Sequence, residues 1–329
     1  MPRSFNQKLK ILFLMKILQE KTDPEHPMPV KDIMTNLEGY GISVERKTVY
    51  DDIETLRTFG MKIKSRRGKP AGYYLAERMF RLPELKFLMD AVQSSKFITE
   101  KQSGSLIKKL ESLTSIHEAK KLQGQVLARQ GIKTSNEEIY TNIETIYDAI
   151  AANRQVSFYY YEWTVSKKLA KKKEGKRYLV SPGKLLWNND SYYLLGLDEF
   201  SGIVKHYRID KMMQVEIENR KRGGESIFRD FDMGKFSAGT FGMFGGKETI
   251  LKIRFDNALV GVVLDRFGPE AMILPADETS FVLQAHIRIS SQFFGWLTGL
   301  GPEAEIIYPE KVRREYKDFL MDTLKNYKN

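Results

Sequence analysis

Tyr178-Leu-Val-Ser-Pro-Gly-Lys-Leu-Leu-Trp187, Ser191-Tyr-Tyr-Leu-Leu-Gly-Leu-Asp198 and Ile203-Val-Lys-His-Tyr-Arg-Ile-Asp-Lys-Met212 are three runs rich in β-branched and aromatic residues. Turn formers separate them: Asn188-Asn-Asp190 and Glu199-Phe-Ser-Gly202. That pattern predicts an antiparallel meander. If Tyr207 and Ile209 face a core, the period of two puts His206, Arg208 and Asp210 together on the opposite face. A charged side chain in a short apolar strand is costly to desolvate without a partner. Arg208 therefore either pairs with an acid such as Asp198 or Asp210, or points into an anion site.

Just upstream, Ser135 to about Asn153 reads as a helix with Ile139, Ile143, Ile146 and Ile150 as its apolar stripe. Val156–Trp163 follows as an alternating strand that carries several aromatics. Between this strand and the meander lies the most basic segment of the chain, residues 166–177. It reads either as a solvated hairpin tip or as a ligand contact. Tyrosines beside basic groups suit base stacking with phosphate pairing. Packing inside a small barrel explains Phe158, Tyr160 and Tyr193 equally well.

At 329 residues the chain is long enough for two or three domains. Hydrophobic residues at 42% and charged residues at 29% are ordinary for a soluble globular protein. No apolar run is long enough to span a bilayer, and the first residues lack a signal-peptide core, so a cytoplasmic protein with no membrane partner is expected. The absence of cysteine excludes disulfides, thiolate metal sites and cysteine nucleophiles, and fits a reducing compartment. His26, His117, His206 and His286 are scattered without ligand spacing, so neither metal nor cofactor is expected. A net charge of +11 favours a polyanionic partner.

The N-terminal residues 5–20 place Leu9, Leu12 and Phe13 at helical spacing, and Pro24 and Pro27 then enforce a loop. A second helix reads Val30 to Leu37. A third is expected to start at Ser43 as N-cap, to bury Val49, Ile53 and Leu56, and to end at Gly60. Met61–Lys64 and Gly72–Leu75 then flank a basic turn as a β-hairpin. Three helices and a basic hairpin make a winged helix-turn-helix. With its stripe inward, the third helix turns Arg46, Lys47, Tyr50, Asp51, Glu54 and Arg57 outward. Its N-terminal end is the one that enters a major groove in this motif. Ser43 opens this segment, Arg46 and Lys47 suit guanine edges or phosphates, and Thr48 and Tyr50 suit phosphates or thymine methyls. The wing cations Lys62, Lys64, Arg66, Arg67 and Lys69 can follow the neighbouring backbone. Asp51 leaves open a plain charged face, because an acid repels phosphate.

Residues 80–134 read as a helical spacer, with Leu85, Leu88, Met89 and Val92 in one helix and Leu106, Leu110 and Leu113 marking another. It serves either dimerisation or intramolecular packing. The glycine- and phenylalanine-rich connector 223–246 has no phosphate-cradling pattern, and its Phe228, Phe231, Phe236, Phe241 and Phe244 argue for packing. The last block reads as strand Glu248–Phe255, helix Leu259–Phe267, strands Ala271–Pro275 and Phe281–Ile289, helix Ser291–Leu300, strand Ala304–Tyr308 and helix Glu310–Tyr327. This order is ferredoxin-like. The final helix has a basic face that suits DNA, a dimer partner or solubility.

Several motifs carry a family resemblance. Tyr178-x-Val-Ser-Pro182, Tyr192-Tyr193-Leu194 and Tyr207-Arg-Ile-Asp-Lys-Met212 resemble the WYL domain of bacterial transcription regulators. Tyr192 stands at the tryptophan position and Lys211 at that of a second arginine, where the bidentate fork is lost. Ser43 to Leu56 is similar to the recognition helix of the winged domains that usually precede WYL domains. Leu264-Asp-Arg-Phe267 and Phe293-Phe-Gly-Trp-Leu-Thr-Gly-Leu-Gly-Pro302 look like the accompanying C-terminal WCX extension.

The resemblance covers the whole chain and implies a multidomain α+β protein. Its expected parts are a winged helix at 1–79, the spacer at 80–134, an Sm-like β-barrel WYL domain at 135–222, the connector and a ferredoxin-like domain at 247–329. It implies a homodimeric, ligand-responsive regulator that binds double-stranded DNA. The effector is expected to be anionic, a nucleotide or single-stranded nucleic acid, held by Arg208, Lys211 and His206 with Tyr192 and Ser181 nearby. The alternative is an RNA- or single-stranded-DNA-binding protein that uses the barrel without operator-specific regulation. An enzyme is not expected, because no carboxylate cluster or histidine-based acid–base pair stands at useful spacing.

Overall fold

The computed structural model describes residues 9–123, 133–188, 190–229, 239–242 and 246–327. It falls into two compact units, Met1–Glu137 and Glu138–Asn329. The first begins with helices α1 (Lys10–Lys21), α2 (Val30–Glu38) and α3 (Arg46–Thr58), then the hairpin strands β1 (Ile63–Arg66) and β2 (Gly72–Leu75). Val49, Ile53 and Leu56 of α3 are buried as the spacing predicts, and pack with Ile33, Leu37, Ile63 and Leu75.

The details differ at three places. The buried stripe of α1 is Leu14, Ile17 and Leu18, while Leu9 and Leu12 are exposed. Ser43 does not cap α3: extended Glu45 precedes the first turn, and no side chain caps it. At the other end Phe59 closes the helix, and Gly60, with φ +112°, turns the chain just after it. The part of the first helix expected before residue 9 lies outside the described residues.

The hairpin is anchored to the helices by its backbone. Met28 and Tyr73 exchange reciprocal N–H···O=C bonds of 2.8 Å, an isolated bridge that ties the α1–α2 loop to β2. This approach requires glycine at 72, where a Cβ would lie 2.3 Å from the Met28 carbonyl. Buried Thr22 donates to Leu18 O (2.6 Å) and accepts from Leu75 N (3.1 Å), closing α1 onto β2. The spacer helices α4 (Leu82–Ser94), α5 (Glu100–Glu111) and α6 (Ile116–Gln123) follow. Leu85, Met89 and Leu122 form their small core. Thr99 and Gln102 make a reciprocal capping box that starts α5.

The second unit opens with α7 (Ile139–Ala151), four residues later than expected, whose buried Asn142 donates to Met212 O (2.9 Å). Six strands make one antiparallel sheet: β3 (Arg154–Trp163), β4 (Leu169–Lys171), β5 (Tyr178–Asn188), β6 (Ser191–Asp198), β7 (Ile203–Arg208) and β8 (Met212–Lys221). The expected meander is β5-β6-β7 in register, with β3 pairing β4, β5 and β8. Among the described residues no strand pairing joins β7 to β8, so the curled sheet is a half-barrel. Part of the basic segment is ordered here: Lys171 pairs with Tyr161 across β3 and β4.

The third run of the meander breaks its alternation. β7 stops at Arg208, a single 3-10 turn covers Ile209–Lys211, and both Ile209 and Asp210 are buried. Asp210 is therefore not on an outer face shared with His206. A short helix that the sequence did not suggest, α8 (Glu225–Arg229), opens the connector. Its Phe228 ring occupies the space where a Cβ on Gly183 would sit, at 2.2 Å. Phe241 is buried in the C-terminal core, whereas Phe231, Phe236 and Phe244 lie outside the described residues.

The last block contains β9 (Glu248–Asp256), α9 (Val260–Phe267), β10 (Met272–Pro275), β11 (Ser280–Arg288), α10 (Ser291–Thr298), β12 (Ala304–Tyr308) and α11 (Glu310–Lys325). These elements come in the order read from the sequence. The four strands form an antiparallel sheet in the order β10-β11-β9-β12. One face buries Leu251, Ile253, Phe255, Leu283 and Ile306 against Phe293 and Leu297 of α10 and Val312 of α11.

Candidate nucleic-acid and effector sites

The first candidate surface is α3 with the wing. The buried stripe of α3 fixes which residues face out. Arg46 and Lys47 in its first turn are exposed, as are Asp51 and Glu54. Arg46 Nε donates to the Tyr50 hydroxyl (2.9 Å), so the half-buried tyrosine steadies the arginine. Thr48 is half-buried and donates to Glu45 O (2.7 Å), a bond internal to the turn. Ser43 is exposed just ahead of the helix. On the wing, Lys64, Arg67 and Lys69 are exposed, and Arg66 reaches Pro24 O at 3.3 Å.

Arg57 is placed differently from the rest. Its Nε donates to Ile63 O (2.8 Å), its Nη1 pairs with Glu54, and its guanidinium lies 5.7 Å from the Tyr73 ring centroid. It joins α3 to the hairpin. Asp52 forms an ion pair with Lys10 (2.7 Å) and so ties α3 to α1.

The second candidate surface is the curled sheet. Phe158, Tyr160, Tyr178 and Tyr207 pack together, with Phe158 and Tyr178 stacked at 5.6 Å and 6°. The Tyr207 hydroxyl donates to Asp198 (2.8 Å), which also accepts from the Ser201 amide and hydroxyl and pairs with Lys205 at 3.2 Å. Burial alone would raise the Asp198 pKa, but these donors outweigh it and hold the carboxyl at about 2.

Arg208 resolves toward the first of its two sequence readings. Nε and Nη2 make a bidentate pair with Asp210 at 3.0 and 2.7 Å, while the side chain stays 41% exposed. The Arg208 amide also donates to the Tyr160 hydroxyl (3.2 Å), whose pKa burial pushes up to about 12.

The other expected effector residues are spread over several environments. Ser181 is fully buried and its hydroxyl is used internally: it donates to Glu199 (3.1 Å) and accepts from the Gly223 amide (2.9 Å). Burial, helped by the charge of Arg288, lowers the His206 pKa to about 4, so this ring is neutral at pH 7 and brings no positive charge. Tyr192 is half-buried, and burial with a hydrogen bond to Tyr147 raises its pKa to about 12. Lys211 stands over the Trp163 ring, with Nζ 5.1 Å from the centroid, and Trp163 is 59% exposed. Burial lowers the Lys211 pKa, partly offset by Asp210.

Sequence reading did not foresee two arrangements. Trp163 and Lys211 are far apart in the chain and meet because β3 pairs with β8 just after the 3-10 turn. Tyr159 carries Lys171 Nζ at 3.7 Å and Arg177 at 4.9 Å from its ring centroid. Arg177 itself bonds Ser157 and Gln214 O and pairs with Glu216 (3.0 Å), so this cluster belongs to the sheet's own scaffold. The aromatic run Phe158–Tyr161 of β3, followed in the chain by the basic segment 166–177, was the available signal, but the facing partner was not legible.

Comparison with known proteins finds three matching families. The WYL domain family matches residues 141–217, from α7 to β8, and the WCX domain family matches residues 248–322, from β9 to α11. The D3 domain of FokI matches residues 12–68, which hold α1 to β1. The chain thus carries a WYL domain followed by a WCX domain. Among solved structures, proteasome accessory factor B/C of Arthrobacter aurescens is 17% identical over 98% of this chain and 49% of that one, with a TM-score of 0.30. A CRISPR Cas-related protein is 13% identical over 74% of this chain and 80% of that one, with a TM-score of 0.38. The chain thus spans about half the length of the accessory factor. No curated protein matches it.

Proposed function

We propose that this protein is a cytoplasmic, homodimeric transcription regulator. A winged helix at 1–79 reads double-stranded DNA, and an Sm-like WYL domain senses an anionic effector, a nucleotide or single-stranded nucleic acid. The ferredoxin-like WCX domain completes the chain. The observation that carries the reading is the first turn of α3. Arg46 and Lys47 are exposed on a helix whose opposite face is fully packed, beside an exposed basic wing. That is the arrangement in which a recognition helix meets base edges and phosphates. On the sheet, Lys211 and Trp163 offer a cation beside an exposed ring, and Asp210 holds Arg208, which is close to Lys211 in sequence. An effector acts on DNA affinity only by favouring one arrangement of the winged helices. No catalytic role is assigned.

The test is binding to the duplex upstream of the protein's own gene, with and without short single-stranded DNA or nucleotides, at one stated salt concentration. Sequence-specific binding that shifts on adding the small nucleic acid is expected. Sequence-blind binding that disappears with salt would replace the regulator with the single-strand or RNA-binding alternative. If Arg208→Ala and Lys211→Ala left the shift unchanged, the effector residues would be wrong while the regulator stood.

A further inference from the structure

Arg266 lies in the last turn of α9 and is half-buried. Its Nη2 donates to Thr240 O (2.7 Å), and its guanidinium lies over the Phe241 ring at 4.2 Å from the centroid. The Nε–H is enclosed without a hydrogen-bond partner. So is the hydroxyl of Thr240, a residue only 1% exposed. Among the described residues no carboxylate pairs with Arg266.

Most of the other half-buried arginines of this unit pair with a carboxylate: Arg208 with Asp210, Arg177 with Glu216, Arg222 with Glu225 and Arg288 with Glu248, while Arg154 donates to Asn219 Oδ1. Holding the segment Gly239–Gly242 against α9 needs only the Nη2 bond and the ring contact. It does not account for a second enclosed donor and an enclosed hydroxyl, both unmet, on the same two residues. A partly desolvated cation with unmet donors is costly unless an anion joins it. A guanidinium fork and a hydroxyl donor, on residues already joined by the Nη2–carbonyl bond, match a phosphate group, which has enough oxygens to accept from both.

We propose that Arg266 and Thr240 form a phosphate-binding site in the C-terminal domain, distinct from the candidate effector residues of the curled sheet. On binding, a phosphate oxygen takes the place of the Thr240 carbonyl at Nη2, exchanging a neutral acceptor for a charged one. Phosphate then also accepts from Nε and from the Thr240 hydroxyl. The Gly239–Gly242 segment shifts with its carbonyl. Because Phe241 packs 5.1 Å from the Trp296 ring, that indole reports the event.

The experiment uses the full chain with Trp163→Phe and Trp187→Phe, which leaves Trp296 as its sole tryptophan. Fluorescence is followed while inorganic phosphate, a 5′-phosphorylated dinucleotide or its unphosphorylated counterpart is added at constant ionic strength. A saturable change with phosphate is expected, at least about tenfold weaker in Arg266→Met and several-fold weaker in Thr240→Val, the sizes expected for losing a charged and a neutral hydrogen bond. Arg208→Met should leave it unaltered, which separates this site from the effector reading. Response to the phosphorylated dinucleotide alone would identify a terminal nucleotide phosphate as the ligand, and response to both would identify phosphate itself. A non-saturable change, or equal affinity in the parent and in Thr240→Val with circular dichroism intact, would overturn the site.

Discussion

On α3 and the wing, Arg46, Lys47, Lys64, Arg67 and Lys69 stand exposed, whereas in the curled sheet Arg177, Arg208 and His206 are drawn into the fold. The difference comes from the way each element hides its apolar side. A helix with one buried stripe leaves the rest of its circumference to solvent, so charged residues off the stripe cost nothing to expose. A sheet that curls on itself encloses one face and crowds its ends, so a charge there must find a partner or lose its charge. Cations of one kind are thus available for an outside polyanion, and those of the other kind mostly hold strands together.

Removing packing should test the enclosed region most severely. Phe158 is fully buried among three tyrosines, and Phe158→Ala should lower stability by about 4 kcal/mol. Chemical denaturation measures this. A loss under about 1 kcal/mol would show that the aromatic cluster is loosely packed, contrary to the contrast drawn here. In the winged unit the corresponding weak point is backbone. Gly72→Ala should cost roughly 2–3 kcal/mol and loosen the wing, because the added carbon meets the Met28 carbonyl. Amide exchange at Tyr73 should rise with it.

Asp210→Ala leaves Arg208 uncompensated. A fully buried pair would lose 3–5 kcal/mol in this way, and the partial exposure of Arg208 reduces the expectation to about 2 kcal/mol. Little or no loss would mean that Arg208 is held by solvent as well as by Asp210.

His206 supplies a pH test. Burial, with Arg288 nearby, depresses its folded pKa from the ordinary 6.5 to about 4. As pH falls from 6.5 toward 4 the unfolded chain takes up a proton that the folded chain refuses, so this contribution is complete above pH 6.5 and is lost across that window. His206→Gln should flatten stability between pH 7 and pH 5 by up to one proton's worth of slope. An unchanged slope would place the ring in solvent.

The smallest effects belong to the exposed cations. Arg46→Ala or Lys47→Ala should leave folding intact, weaken duplex binding by about 1 kcal/mol and reduce the salt slope by about one. Arg57→Ala should instead lower stability with the salt slope retained, since its donors serve Ile63 O and Glu54. Equal salt effects at Arg46 and Arg57 would erase the distinction between displayed and internal cations.

Much of the architecture was legible because periodicity is a local property. The stripe Val49, Ile53, Leu56 of α3, the meander β5-β6-β7 and the order of elements from β9 to α11 follow from spacing and turn formers within a few residues. Local reading failed where two signals competed. In α1 the apolar residues are so dense that the buried side could be read one residue out of phase, and Leu14, Ile17 and Leu18 took the place of Leu9 and Leu12. After Arg208 the pattern allowed a continuing strand, but the 3-10 turn brings Asp210 back onto the guanidinium.

By itself the sequence determined most of the elements, their order and the residues able to carry charge to a partner. It also narrowed the partner of Arg208 to Asp198, Asp210 or an anion. Only the tertiary structure decided among these, gave Asp198 to Tyr207, kept His206 neutral, enclosed Ser181 and left the Arg266 Nε–H unmet. The physical reason is that hydrogen-bond partners and desolvation depend on residues distant in the chain, whereas helix and strand periods depend on neighbours.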